Sequence, residues 1–246
     1  MILRHLREEV LQANLDLVRF NLVTLTWGNV SGISREEELV VIKSSGVDYQ
    51  KLRLNDMVVL DLAGNIVEGK GRPSSDTPTH IELYKSFPSI GGVAHTHSEF
   101  ATTFAQACRE VPCFGTTHAD AFCGPVPVTR FLMKEEVDNN YELNTGKLIV
   151  ERFKNLDPAA IPAVLIAGHA PFTWGKNARD AVMNSFILER VASMAFHSIS
   201  LDVNLRPIPD YVLNKHYLRK HGPNSYYGQP KKGSSNVSQV PHRKKK

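Results

Sequence analysis

The sequence predicts an α/β fold: a single domain with a central, largely antiparallel β-sheet covered by helices on both faces. Three observations point to it. Helix-like and strand-like segments alternate along the 246 residues, yet they are too short for the regular repeat of a parallel sheet. Apolar residues make up 42% and charged residues 22%, the composition of a chain that buries a core. No internal repeat and no interior linker divides the chain, so residues 1–229 read as one domain and 230–246 as a tail.

The elements follow in order. Leu3, Leu6, Val10, Leu11, Leu15 and Val18 recur at helical spacing and give residues 3–19 one apolar face. Residues 39–43 and 57–62 read as strands; Ala63-Gly64-Asn65 turns the chain and Ile66-Val67 returns. A second helix starts at Ser75 or Asp76. Pro78 sits early in it, where a missing N–H costs little, and Pro88 ends it. Ile90 to His97 reads as a strand. Ser98 is placed to cap a helix through Gln106. Val164 to Ala167 is a short buried strand that Gly168 and His169 end. Asn177 caps a long helix to about Ser198, with Asp180 in the acidic position of a capping box.

Composition excludes several classes. No stretch approaches the roughly 20 apolar residues that span a bilayer, and the N-terminus lacks the apolar region of a signal peptide. Cys108, Cys113 and Cys123 are an odd set without a secretory signal, so they read as packing thiols. Cytoplasmic residence without a membrane partner is expected. The net charge of +4 comes from the tail. Lys231, Lys232, Arg243, Lys244, Lys245 and Lys246 stand there without an acid, leaving 23 basic residues against 25 acidic ones, a net of −2. A body of that charge offers no basic patch for nucleic acid, and the aperiodic tail, rich in Gly, Ser and Asn, is expected to be disordered.

The strongest chemical signal is His95-Thr96-His97. On a strand, residues i and i+2 share a face, so two imidazoles project side by side as two metal ligands must. His169 closes another strand-like run, and Asp76 opens a helix after a Pro-Ser-Ser turn. Three imidazoles and a carboxylate suit zinc or another divalent first-row ion. Spacing alone leaves His169 open between a ligand and a hydrogen-bonded core histidine. A second signal is a set of small-residue turns: Gly28-Asn29, Ser45-Gly46 after Lys43, and Ser74-Ser75 at a helix start. Backbone N–H groups and hydroxyls in such turns hold phosphates, although each dipeptide is also an ordinary turn.

Together these stretches resemble a known family. Asn21 to Ser31, Ile42 to Tyr49, Pro73 to His80 and Gly91 to His97 resemble the class II aldolase superfamily. Gly115 to Asp120, Gly168 to Asn177 and Lys215 to Gly222 look like its L-ribulose-5-phosphate 4-epimerase branch. The resemblance implies that Asp76, His95, His97 and His169 bind one Zn²⁺ per subunit, with Mn²⁺ or Co²⁺ as substitutes. It implies substrate and phosphate contacts from Gly28, Asn29, Lys43, Ser45, Gly46, Ser74 and Ser75. Thr116, Glu142 and His216 would line or support the site, with Asp120 and Tyr227 as its two acid/base residues. It implies a cyclic homotetramer with sites between subunits, Asp120 and Tyr227 coming from the neighbour. The expected reaction interconverts L-ribulose 5-phosphate and D-xylulose 5-phosphate by breaking and remaking the bond between carbons 3 and 4. The alternative within the superfamily is a fuculose- or rhamnulose-phosphate aldolase. There a Glu usually follows the Ser-Ser pair, and the Asp76 found here favours the epimerase.

Overall fold

A computed structural model describes residues 1–227. The expected tail 230–246, and the boundary at 229, lie outside the described residues. Seven strands form one sheet in the order β4-β3-β2-β1-β5-β7-β6, and every pair is antiparallel. The strands are β1 (Asn29–Ser34), β2 (Leu39–Lys43), β3 (Met57–Asp61), β4 (Ile66–Glu68), β5 (Gly92–His95), β6 (Ala163–Leu165) and β7 (Pro171–Gly175). The helices are α1 (Arg4–Arg19), α2 (Thr77–Ser86), α3 (Glu99–Gln106), α4 (Thr116–Ala119), α5 (Lys134–Asp138), α6 (Tyr141–Arg152), α7 (Ala178–Leu201) and α8 (Asp210–His221). Among the described residues, no helix is long and apolar enough to cross a membrane.

The period-two alternation of the strands sorts the core into two faces. Val40, Val93, Phe172 and Trp174 pack with Ile81, Leu83 and Tyr84 of α2 and Ile149 of α6. Val41, Val59 and Ala94 point the other way, onto Val10 and Leu17 of α1 and Val182 of α7. A third cluster joins α3 to the later turns of α7 through Ala101, Phe104, Leu188 and Val191. Fully burying aliphatic side chains of this size contributes about 1.5–3 kcal/mol each, so both faces of the sheet are covered.

The expected helix at 3–19, the strands at 39–43 and near 57, and the long helix after Asn177 are all present. The Asn177 side chain accepts from the Asp180 N–H at 2.8 Å. The expected strand 90–97 is shorter, so His97 stands beyond its end. Two strands carry little sequence signal. β1 reads Asn-Val-Ser-Gly-Ile-Ser; its Gly32 faces α1, where an added Cβ would meet Leu6 at 2.9 Å. β7 opens on a proline. The helix α6 carries Thr145-Gly146 in mid-course, which breaks its periodicity. Ser98 stands at the start of α3 but makes no capping bond with its side chain. The Glu189 carboxylate takes that role, accepting from the N–H groups of Phe100 and Ala101 at 2.9 and 3.0 Å.

Candidate active site

A cleft of about 550 Å³ opens where β1, β2, β5 and the β6–β7 turn come together, and the residues that lead into α2 and the first residues of α6 complete its lining. Part of that lining is formed by imidazoles. His95 is the last residue of β5, paired across the sheet with Asn29 and Phe172. His97 follows two residues on. His169 sits in the turn between β6 and β7, which Gly168 makes possible at φ +72 and which the His169 N–H closes onto Ile166 at 2.9 Å. The three rings form a near-regular triangle with centroids 4.9, 4.9 and 5.0 Å apart. One nitrogen of each lies within 4.8 Å of the others.

The donor set fits a divalent ion. His95 donates its Nδ1–H to the Pro171 carbonyl at 2.9 Å, which leaves Nε2 as a bare lone pair facing the cluster. That Nε2 stands 3.1 Å from His97 Nε2. Two nitrogens at ordinary zinc distances of about 2.0–2.1 Å, in tetrahedral arrangement, would lie about 3.3 Å apart. Among the described residues, His169 Nδ1 is buried without a hydrogen-bond partner. Burial pushes all three imidazoles below their ordinary range, His169 to about 4 with help from His95, so they are neutral at neutral pH, the form that can bind a cation.

Asp76 lines the same cleft but stands outside the trio of clustered donors. Its carboxylate accepts from Asn29 Nδ2 at 2.6 Å. Burial raises its pKa, but the electrostatic attraction of the His95 and His80 rings and the Asn29 bond outweigh that and hold it below the usual carboxylate range. His80, which spacing did not single out, lies fully buried behind this group. Its Nδ1 is hydrogen-bonded to Ser31 Oγ at 2.7 Å, and Ser31 in turn bonds the Tyr84 hydroxyl at 2.7 Å.

Much of the remaining lining comes from the predicted turns. Two loops pair there: the Ser45 N–H donates to Arg72 at 2.8 Å and the Ser74 N–H to Lys43 at 3.0 Å, which sets Ser45-Gly46 beside Ser74-Ser75. Gly28 has φ +88, and a Cβ on it would meet the His95 carbonyl at 2.8 Å, so only glycine fits. Tyr49 donates to the Gly28 carbonyl at 2.8 Å and fixes that turn. Lys43 lies buried with its ammonium 5.0 Å from the Tyr49 ring centroid, and burial lowers its pKa. Glu142 also lines the cleft, and with it stand Thr26 and Trp27, which fall inside the Asn21 to Ser31 stretch but carry no predicted role, and Tyr141, which no motif marks.

Asp120, Thr116, His216 and Tyr227 do not line this cleft. Thr116 opens α4, Asp120 follows its last residue as the C-cap, and His216 lies on α8. Arg219 grips Asp120 with two bonds of 3.0 and 2.6 Å, and His216 Nδ1 adds a third at 3.1 Å. The Arg219 guanidinium lies 4.4 Å from the Tyr227 ring centroid, so Asp120 and Tyr227 share one cationic partner. Burial raises the Asp120 pKa, but Arg219, His216 and Lys220 more than offset it and keep the group ionised. Arg219 lies inside the Lys215 to Gly222 stretch, but no spacing argument marks it.

The chain matches known proteins throughout this architecture. The family model for the class II aldolase and adducin N-terminal domain matches residues 8–196. L-ribulose-5-phosphate 4-epimerase UlaF from Salmonella paratyphi A is 54% identical over 227 residues, covering 92% of this chain and 100% of that protein, and UlaF from Salmonella typhi matches equally. Among solved structures, an L-fuculose 1-phosphate aldolase aligns with a TM-score of 0.73 at 26% identity, over 86% of this chain and 94% of that one. YgbL from Klebsiella pneumoniae, a putative aldolase/epimerase/decarboxylase, shares the fold with a TM-score of 0.70 at 22% identity, over 87% and 99%. With its sheet, its imidazole trio and this similarity along most of its length, the chain belongs to the class II aldolase family, among the relatives of the L-ribulose-5-phosphate 4-epimerases.

Proposed function

We propose that the chain is an L-ribulose-5-phosphate 4-epimerase, an isomerase that interconverts L-ribulose 5-phosphate and D-xylulose 5-phosphate. The observation that carries this reading is one cleft lined by both an imidazole trio and the small-residue turns. A sugar phosphate needs both. The 54% identity to epimerases over their full length selects epimerase over aldolase, and the short carboxylate of Asp76 agrees. The aldolase reading is retained for the L-fuculose 1-phosphate aldolase likeness at 26% identity.

The residues divide the work. Carbon 4 carries a hydrogen that is not acidic, so inversion there proceeds by cleaving and reforming the bond to carbon 3. His95, His97 and His169, with Asp76 beside them, hold one Zn²⁺, or Mn²⁺ or Co²⁺ in its place, which supplies Lewis-acid stabilisation of negative charge on sugar oxygens. Gly28, Asn29, Ser45, Gly46, Ser74 and Ser75, with Lys43 as a point charge, anchor the phosphate so the cleaved fragment stays bound. Asp120, ionised against Arg219, takes the proton of the carbon 4 hydroxyl on one side. Tyr227 gives or takes it on the other. Both belong to the neighbouring subunit of a homotetramer in this reading, Thr116 and His216 support them, and Glu142 contacts substrate.

The test is a coupled assay for D-xylulose 5-phosphate formed from L-ribulose 5-phosphate, on protein with and without bound metal. His97→Asn is expected to lower metal content and slow turnover at least about a hundredfold, as loss of a Lewis acid should. Full epimerase rate in metal-free protein would refute the reading.

A further inference from the structure

Tyr141 is a polar side chain in the cleft to which neither the fold nor the proposed chemistry gives a task. It begins α6 and lines the cleft, its ring centroid 6.4 Å from that of His169. Its carbonyl accepts from Thr145 Oγ1 at 2.9 Å, but among the described residues its phenol oxygen joins no hydrogen bond. A tyrosine kept for packing buries its ring and satisfies its hydroxyl; this one is only partly buried.

The backbone that presents it is firmly held. Asn140, just before it, sits at φ 59 and ψ 54, a left-handed conformation that asparagine tolerates better than most residues. Thr79 Oγ1 donates to the Glu142 carbonyl at 2.6 Å and ties the start of α6 to α2. Gly146 lets the two helices close up, since a Cβ there would meet Glu82 Cβ at 2.7 Å. A rigid frame thus carries a free hydroxyl donor into the cleft beside His169.

We propose that the Tyr141 phenol donates a hydrogen bond to one hydroxyl or carbonyl oxygen of the bound sugar and helps select the sugar backbone, as the turns select its phosphate. This rests on the sugar-phosphate reading above. A donor aimed at one substrate oxygen discriminates against sugars that lack it, because the pair is then left unmade.

The experiment compares the wild type with Tyr141→Phe, which keeps the ring. The kcat/KM for L-ribulose 5-phosphate should fall about tenfold, the scale of one neutral hydrogen bond, with melting temperature and metal content unchanged. Inhibition constants are then measured for pentulose phosphate analogues, each lacking one oxygen. The variant should bind the parent sugar more weakly than wild type does but bind one analogue equally well, the one missing the partner oxygen. An equal penalty on every analogue, a change below about twofold on all of them, or a loss of metal would overturn the assignment. A wild type that neither turns over nor binds pentulose phosphates would overturn the proposed function, and this inference with it. A fully active wild type with an unchanged variant would overturn only the role of Tyr141.

Discussion

Burial decides the protonation of the histidines, and the effect reaches beyond the candidate metal site. His118 is 3% exposed, donates its Nε2–H to the Gly124 carbonyl at 2.8 Å, and packs edge-on against Phe122. Burial pushes its pKa from 6.5 down to about 4, against the pull of the Gly124 bond. The folded state therefore keeps this imidazole neutral while the unfolded chain protonates it. Its contribution to stability is complete above about pH 6.5 and is lost as pH falls toward 4. At pH 5 the loss should be about 2 kcal/mol. Urea denaturation at pH 7 and pH 5 checks it: His118→Gln, which cannot titrate, should lose that part of the pH dependence. An unchanged dependence would assign it to other groups. The same desolvation leaves the imidazole lone pairs of His95, His97 and His169 free for a cation. Here sequence was informative, because His-x-His at a strand end states its own geometry. Tyr141 and His80 were not legible, since nothing in their spacing separates them from core residues.

One helix start shows how an element borrows its cap. α3 follows directly on His97, so its first turn positions a candidate ligand. Ser98 is the residue type that caps helices, yet its hydroxyl makes no bond to the first turn. Glu189, from α7, accepts from two of the free N–H groups instead. A carboxylate also suits the positive end of a helix. Glu189→Ala is expected to destabilise the protein by about 1–3 kcal/mol, the range for charge-assisted hydrogen bonds lost in a partly buried place. Ser98→Ala should cost well under that. Midpoints of urea denaturation with unchanged slopes would measure both, and a larger loss for Ser98→Ala would restore the local cap. The sequence pattern found this helix and its first residue. It could not find the cap, because the partner lies about ninety residues away and only packing of α3 on α7 brings it close.

On the scale of the whole molecule, the candidate residues fall into two groups within one chain. The imidazole trio and the anion turns share a cleft, whereas Asp120, His216, Arg219 and Tyr227 gather around the junction of α4 and α8. If neighbouring subunits join the two groups, as proposed, defective chains can complement each other. His97→Asn and Asp120→Asn should each be nearly inactive alone. Refolded together in equal amounts they should regain activity at about a quarter of the sites of a cyclic tetramer. Assaying the mixture after assembly, with its mass checked by light scattering, decides it. A mixture as inactive as its parts would place both groups in a site made by one chain.

The sequence by itself determined the fold class, five of the seven strands, four of the eight helices, the paired histidines and the turns beside Lys43. Each of those is a local signal: alternation, helical period, a capping residue or a turn dipeptide. Tertiary structure alone decided the rest. It paired β5 with both β1 and β7, which brings His95, Asn29 and the His169 turn to one edge although the chain separates them widely. It also showed that Asn29 holds Asp76 and that Arg219 holds Asp120. Such contacts depend on which surfaces meet once the apolar faces are buried, and short-range spacing carries no record of that.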